Sequence, residues 1–279
     1  MKLSLIVATR SKPLRAAAVI ELARALASGE HEVSYTIAGD LDQAELFQPI
    51  VKHYPWVRTD IAPRPPGPGQ CWNRVIASHP ADLHLTFADD TFPITPHWDE
   101  LCSRVIQGVP SARETGVFCW QDSANPQQAT VFSIAQPWLE LCNGIVFDER
   151  FPFWFSDTAI NELHSYVTGH GVAQVHGLRV VNPPNVFNPR MRDMELWWRL
   201  FAATRRERVA TATAWREARN LPPLDNIEEL LTAHQMRDQA GLPESEKIVA
   251  MIPEPAPITD EYLIAKANAE AYLAQLEAA

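Results

Sequence analysis

Two adjacent carboxylates, Asp89 and Asp90, follow Leu83-His84-Leu85-Thr86-Phe87, a run that reads as a buried β-strand. Acids at a strand end suit a hard cation such as Mg²⁺ or Mn²⁺, which takes carboxylate and phosphate oxygens together. The chemistry that calls for such a pair is the departure of a nucleoside diphosphate, whose growing negative charge bound metal neutralises. Standing alone, the pair more often serves as a solvated turn or a helix N-cap. Other polar residues sit in similar positions: Thr9 and Arg10 after Leu3–Ala8, and Asp40 and Asp42 after Val33–Ala38.

The elements that would carry these residues alternate. Leu3–Thr9 predicts a buried parallel strand, Leu14–Leu26 a helix stopped by Gly29, and Val33–Ala38 a second strand. Gln43–His53 predicts a helix and Trp56–Ile61 a strand. The loop Pro63–Gly69 is too rich in Pro and Gly for regular structure, and Gln70–Ser78 returns to helix. Trp98–Gln107 reads as a helix, Gly116–Trp120 and Thr130–Ile134 as strands, and Gln136–Asn143 as a helix stopped by Gly144. Val172–Val181 is the last strand region. This alternation predicts a doubly wound sheet with right-handed crossovers. Ligands of such sheets bind beyond the carboxyl ends of the strands, so the three polar tips at Thr9/Arg10, Asp40/Asp42 and Asp89/Asp90 should share one crevice.

Beyond Met191 the strand signals cease, and helices are expected near 191–218, 225–240 and 259–277. A catalytic domain over 1–190 and a helical region over 191–279 follow. The final helix either packs internally or mediates a homodimer. Trp197 and Trp198 lie among Arg190, Arg192, Arg199, Arg205, Arg206 and Arg208. Such a stripe could hold phosphates and stack bases, or border an anionic membrane, but the commoner reading is a Trp face docked inward with solvated arginines.

The 279 residues carry 24 basic and 34 acidic side chains, a formal charge of −10. That balance argues against a protein that coats nucleic acid. The four cysteines have no metal-ligand or disulfide spacing and read as buried thiols of a cytoplasmic protein. No apolar stretch approaches the roughly 20 residues of a membrane span. The apolar start ends at Arg10, Lys12 and Pro13, at strand length, and so reads as a strand and not as a signal peptide.

Four stretches, in this order and spacing, resemble the GT-A fold of family-two-type inverting glycosyltransferases, particularly short bacterial and phage-like members. Leu5-Ile6-Val7-Ala8-Thr9-Arg10 is similar to their opening strand and the loop bordering the nucleobase. Gly39-Asp40-Leu41-Asp42 resembles the acidic end of the second strand, which contacts base or ribose. Asn73 matches the Asn of an Arg-Asn-x-Gly-like helix start. Phe87-Ala88-Asp89-Asp90-Thr91-Phe92-Pro93 with Pro96-His97-Trp98-Asp99 resembles the metal motif and the Pro-Gly-Trp-Asp-like turn after it.

The resemblance covers residues 3 to 185. It implies a Rossmann-like, mostly parallel sheet flanked by helices, with the helical region as a C-terminal extension. It also implies an enzyme that takes a nucleotide-sugar donor, a UDP-sugar foremost, with Mn²⁺ or Mg²⁺. Asp90 then touches the metal, while Asp89 faces ribose or orients the loop. Asp122 falls where related enzymes place a residue near the donor sugar, or else is a loop acid. Phe153-Trp154-Phe155-Ser156-Asp157 resembles the aromatic stretch ending in the acceptor-side base. Asp157 would be that base, an N-cap, or both. Trp154 either stacks on an acceptor or belongs to the core.

Two departures stand out. Ala88 replaces an acid of the family motif, and Asn182, with His176 nearby, stands where a metal-ligating histidine is usual; Asn182 would then supply an amide oxygen to the metal beside Asp90. A non-catalytic nucleotide-binding module therefore stays open. So does a nucleotidyltransferase, although Thr9–Pro13 lacks the glycines of a phosphate loop. The acceptor is left open among a glycan, a lipid-linked sugar, a protein and a hydroxylated nucleobase in DNA.

Overall fold

Leu3 to Ala8 are all buried, on both faces of the strand they form, as an inner strand covered by helices must be. The computed structural model describes residues 1–65, 67–123, 131–152, 155–182, 193–241 and 259–278. Its strands are β1 (Lys2–Ala8), β2 (Glu32–Asp40), β3 (Val57–Ala62), β4 (Leu83–Ala88), β5 (Phe92–Pro93), β6 (Val117–Asp122), β7 (Phe132–Ala135) and β8 (Gln174–Val181). They form one sheet in the order β3-β2-β1-β4-β7-β6-β8-β5.

Pairing is parallel from β3 through β4 and again between β6 and β8. Only β7 and β5 run against their neighbours. The chain from β6 to β7 is shorter than the dozen or so residues that a parallel crossover takes, so β7 must come back antiparallel. The carboxyl ends of β1, β2, β4, β6 and β8 consequently lie along one edge of a mostly parallel sheet.

The first helices are α1 (Pro13–Leu26), α2 (Gln48–His53), α3 (Pro68–Ser78), α4 (Trp98–Gly108), α5 (Pro110–Thr115) and α6 (Gln136–Leu141). α1 opens on a proline and buries Ala16, Val19, Ile20 and Ala23 at helical spacing. The end of α1 is closed by the start of α4. His97 N donates to Leu26 O (2.6 Å), Trp98 Nε1 to Ala23 O (2.7 Å), and the Asp99 carboxylate accepts from Ser28 N and Oγ. Carbonyls in the last turn of α1 are thus met by His97 N and Trp98 Nε1, while Asp99 takes the backbone N–H of Ser28 just beyond it. His97 sits at φ 55°, the left-handed conformation that glycine adopts most readily.

The single helix expected over Gln43–His53 is two elements. A 3₁₀ turn over Leu41–Phe47 leaves helical geometry at Gln43 (φ −124°), and α2 restarts with Pro49 in its first turn. The Phe47 ring packs directly over Gly39, where a Cβ would lie 2.2 Å from it. No larger residue fits before Asp40 while Phe47 stays in place.

The later helices are α7 (Ser156–Thr168), α8 (Met194–Ala203), α9 (Arg205–Ala218), α10 (Ile227–Ala240) and α11 (Asp260–Ala278). The helix expected over 191–218 is broken at Thr204, whose Oγ1 bonds back to Leu200 O. The chain forms two compact units that interleave in sequence and do not divide at one boundary near 190. The first is Met1–Phe147 with Val172–Pro184, and the second is Asp148–Gly171 with Asn185–Ala279. α7 therefore groups with the C-terminal helices. Phe151, Phe155, Trp197, Trp198, Phe201 and Tyr262 build the core of the second unit.

The Trp face is docked inward, as expected, but the arginines beside it are not all solvated. Arg205 and Arg208 are buried and hold Glu162 of α7, with Nε–Oε1 at 2.9 Å and Nη2–Oε1 at 2.8 Å, and Arg237 of α10 joins at 2.7 Å. A helix buried on several faces cannot keep its cations in water, so it has to bring them an anion. Arg190 and Arg192 lie outside the described residues, as do Phe153, Trp154 and Thr130.

The four cysteines are free, and burial pushes the thiols of Cys71, Cys119 and Cys142 up to about 11, 12 and 12. Among the described residues no helix is long and apolar enough to cross a membrane.

Glu162 is the residue on which the second unit turns. Burial works to raise its pKa, but the Arg208 and Arg205 guanidiniums prevail and hold it at about 2, against an ordinary 4.5. A depressed folded pKa means stabilisation that is complete above pH 4.5 and is lost as pH falls toward 2. Glu162→Gln leaves three buried or half-buried guanidiniums short of a partner and should cost about 3–5 kcal/mol, read as a lower melting temperature at pH 7. The wild-type melting temperature should fall across that acid window, and the variant's should be much flatter there. Equal stability of the two proteins at pH 7 would contradict this role.

Candidate functional site

The register of the parallel strands sets the site. Ala8 lies level with Ala38 on one side and with Ala88 on the other, so Thr9 and Asp89 leave the sheet together while β2 runs on beside them to Asp40. Thr9 N donates to Ala38 O (2.9 Å), which holds the β1 loop against β2. The Thr9 hydroxyl reaches the other way and donates to Asp89 Oδ2 at 2.5 Å. One residue thus fastens the loops after β1 and β4 to each other.

Asp89 and Asp90 occupy the middle of a turn closed by Thr91 N donating to Ala88 O (3.1 Å). Asp90 is buried and Asp89 half-buried. Burial pushes the Asp89 carboxyl above its ordinary range. The Thr9 hydrogen bond pulls it back, the like charge of Asp90 raises it further, and Lys12 and Arg15 pull down. The turn is thus a place where negative charge is costly and a cation would be welcome.

On the β2 side, buried Asp40 faces Arg10, whose Nε lies 3.9 Å from its Oδ2. Burial raises the pKa of Asp40 and Asp42 adds to it, against Arg64, Arg10 and Arg74. Asp42 is exposed at the start of the 3₁₀ turn. Thr9, Arg10, Asp40, Asp42, Asp89 and Asp90 are therefore gathered at the carboxyl ends of β1, β2 and β4, as the alternation predicts.

Asp122 ends β6 and is buried, level with Val180 of β8, and Ser123 N bonds to Val180 O (3.1 Å). Asn182 follows β8 and is half-buried. Both stand on the same carboxyl edge, in its β6–β8 half. Asn73 is buried in α3 and is bonded reciprocally to one backbone residue: its Nδ2 donates to Phe147 O (2.8 Å) and Phe147 N donates to its Oδ1 (3.0 Å). That pairing makes it a brace for the chain at Phe147.

β3 adds an acid that its sequence pattern did not single out: Asp60 pairs with Arg74 of α3 at 2.7 Å. A fourth strand with an acid near its carboxyl end, followed by a helix carrying Arg directly after Asn73, was the available signal.

Asp157 belongs to the second unit. It does not cap α7, because Phe155 holds the N-cap position, and Asp157 lies inside the first turn. Its Oδ1 accepts from Thr158 N (2.7 Å) and Thr158 Oγ1 (3.3 Å). Phe155 has φ 68°, a conformation that costs a bulky residue about 1–3 kcal/mol. Its ring stacks on Phe201 (5.2 Å) and meets Trp198 edge-on, packing that holds the strained backbone.

Among the described residues no three His, Cys, Asp or Glu side chains converge as a metal site. Two adjacent carboxylates in a partly desolvated turn suit a cation whose remaining ligands come from an anionic molecule. The donor set fits a shared metal and not a self-sufficient one.

No protein-family model matches the chain, and no curated protein matches it. Solved structures do. TarS of S. aureus in complex with UDP aligns over 88% of this chain and 77% of its own, with a TM-score of 0.50 at 12% identity. Glucosyl-3-phosphoglycerate synthase from Mycobacterium tuberculosis, in complex with Mg²⁺ and uridine diphosphate, aligns over 75% and 79%, with a TM-score of 0.51 at 13% identity. The likeness is one of fold: the chain has the GT-A fold, a mixed sheet flanked by helices, with a C-terminal helical region.

Removing the Thr9 hydroxyl should expose its hold on Asp89. The Thr9 hydrogen bond favours the ionised carboxylate, so Thr9→Val should raise the Asp89 titration midpoint. Carboxyl-carbon NMR across pH 3–8 reads this directly. An unchanged midpoint would mean that the loops after β1 and β4 are not linked through this bond.

Proposed function

We propose that the protein is a nucleotide-sugar-dependent glycosyltransferase that inverts the anomeric centre. The observation that carries this reading is the carboxyl edge of β1, β2 and β4, where Thr9, Arg10, Asp40, Asp89 and Asp90 converge. Two proteins of the same fold hold UDP, one of them with Mg²⁺, which supports a uridine nucleotide and a divalent cation here.

In this reading Thr9, Arg10, Asp40 and Asp42 frame the nucleoside. A carboxylate such as Asp40 accepts hydrogen bonds from base N–H or ribose O–H groups, and its buried, partly neutralised setting favours a neutral donor over bulk water. Asp90, with the Asn182 amide oxygen, would hold Mg²⁺ or Mn²⁺ jointly with the donor diphosphate, with Asp89 toward the ribose and Asp122 facing the donor from the β6–β8 half of the edge. Bound there, the metal would neutralise charge building on the departing nucleoside diphosphate.

We assign the acceptor-side base to Asp157 on its place in Phe153-Trp154-Phe155-Ser156-Asp157. It takes the proton of the acceptor hydroxyl as that oxygen attacks the anomeric carbon from the face opposite the leaving group. The strained Phe155 two residues earlier supports the assignment, since such strain concentrates at sites whose geometry is held by packing. Ala88, and the lack of a self-sufficient metal cluster among the described residues, favour one competitor, a module that binds the nucleotide without turnover.

Thermal melts with UDP, UDP-sugars and GDP-sugars, with and without Mn²⁺, separate these readings. A ligand at a hundred times its dissociation constant adds about 2.7 kcal/mol, a shift of several degrees. A metal-dependent shift with one donor, absent in Asp90→Ala, is the expected result. Asp157→Asn should keep that shift while transfer falls by about 10²–10⁴. Metal-independent binding with no turnover would favour the module, and loss of both binding and transfer in Asp157→Asn would make that residue structural.

A further inference from the structure

Asp40 ends β2 at the N-cap position of the 3₁₀ turn over Leu41–Phe47, yet its carboxylate bonds none of that turn's backbone N–H groups. A carboxylate that caps no helix keeps its oxygens for other donors. Its placement then rests on the backbone to either side, Gly39 before it and the turn after it.

Phe47 holds both. It is the one buried residue of the turn, whereas Leu41 and Leu46, the turn's other large apolar side chains, stand exposed. Residues two apart along a strand share a face. Gly39 therefore continues the buried row of Tyr35 and Ile37, and Asp40 looks the other way with Ala38. On that opposite face Asp60 of β3, level with Ala38, pairs with Arg74. On the Gly39 face the space belongs to Phe47: a Cβ at position 39 would lie 2.2, 2.7 and 2.9 Å from its Cζ, Cε1 and Cε2. The ring tip fills the place of the missing side chain and closes residues 39–47 into a loop whose ends pack on each other.

We infer that Phe47 is a positioning residue for nucleoside recognition: its ring tip, seated in the space that Gly39 leaves, sets where the Asp40 carboxylate stands at the strand edge. The inference rests on the donor-site reading given above. Leucine lacks the three ring atoms that crowd position 39. Gly39→Ala and Phe47→Leu are thus complementary, since each alone overfills or empties the contact and together they exchange ring tip for methyl group.

The test is a cycle of Gly39→Ala, Phe47→Leu and the two combined, read by calorimetric titration with UDP and by carboxyl-carbon NMR of Asp40. Burial holds the Asp40 carboxyl above its ordinary 3.8, so a strand end displaced toward water should bring its midpoint down in each single variant. UDP should bind about tenfold more weakly in each, and the double variant should recover both midpoint and affinity. A residue that only fills the core would lower the melting temperature and leave the midpoint and affinity of the folded protein unchanged. That result would overturn the inference, as would losses that simply add in the double variant. If Gly39→Ala does not fold, Phe47→Leu and the double variant make the same comparison. A wild-type protein that binds no nucleotide would refute the donor-site reading alone, because the Asp40 midpoints report the placement without any ligand.

Discussion

Parallel pairing of β1 with β2 and β4 fixes where chemistry can happen in this molecule. Because Ala8, Ala38 and Ala88 are level, Thr9 and Asp89 emerge at the same height, and Asp40 follows one residue further along β2. A slip of one residue would exchange the buried row Leu3, Leu5, Val7 with the buried row Ser4, Ile6, Ala8, which differs in size and polarity, so packing on both faces enforces the register. The Thr9–Asp89 hydrogen bond and the Arg10–Asp40 pair then act on loops that are already adjacent. They refine an arrangement that hydrophobic burial has set.

The two units handle buried charge in opposite ways. In the second, Glu162 is surrounded by guanidiniums and its charge is secured. At the strand edge of the first, burial leaves Asp40 and Asp89 above their ordinary range in spite of the cations near them. A site held that way gains when a metal ion or a set of N–H and O–H donors arrives, which is what a binding site requires. The first unit spends none of its nearby arginines on fully neutralising Asp89, whereas the second commits two buried arginines to one glutamate.

Much of the fold was legible because its signals are local. Apolar runs of strand length, Ala- and Leu-rich helical spacing and Gly stops located β1, α1, β2 and β4 to within a residue or two. The gathering of Thr9, Asp40 and Asp89 followed from the topological rule that strand ends carry the ligand. What stayed hidden depends on contacts distant in sequence. Pro49 and the non-helical Gln43 split the expected helix over 43–53, which the apolar spacing there does not reveal. That Asn73 braces Phe147, 74 positions away, has no sequence signature. The burial of Arg205 and Arg208 depends on Glu162, an acid on α7 that looks like any exposed helix residue until α9 packs on it.

The most direct test of the central claim is a crystal of the protein grown with UDP and Mn²⁺, with diffraction recorded at the manganese absorption edge. An anomalous peak is expected beside Asp90, shared with the diphosphate, with the uridine lying along the Thr9–Asp40 side of the same edge. Nucleotide bound at that edge without a manganese peak would contradict the metal assignment. Nucleotide bound anywhere else would contradict the site.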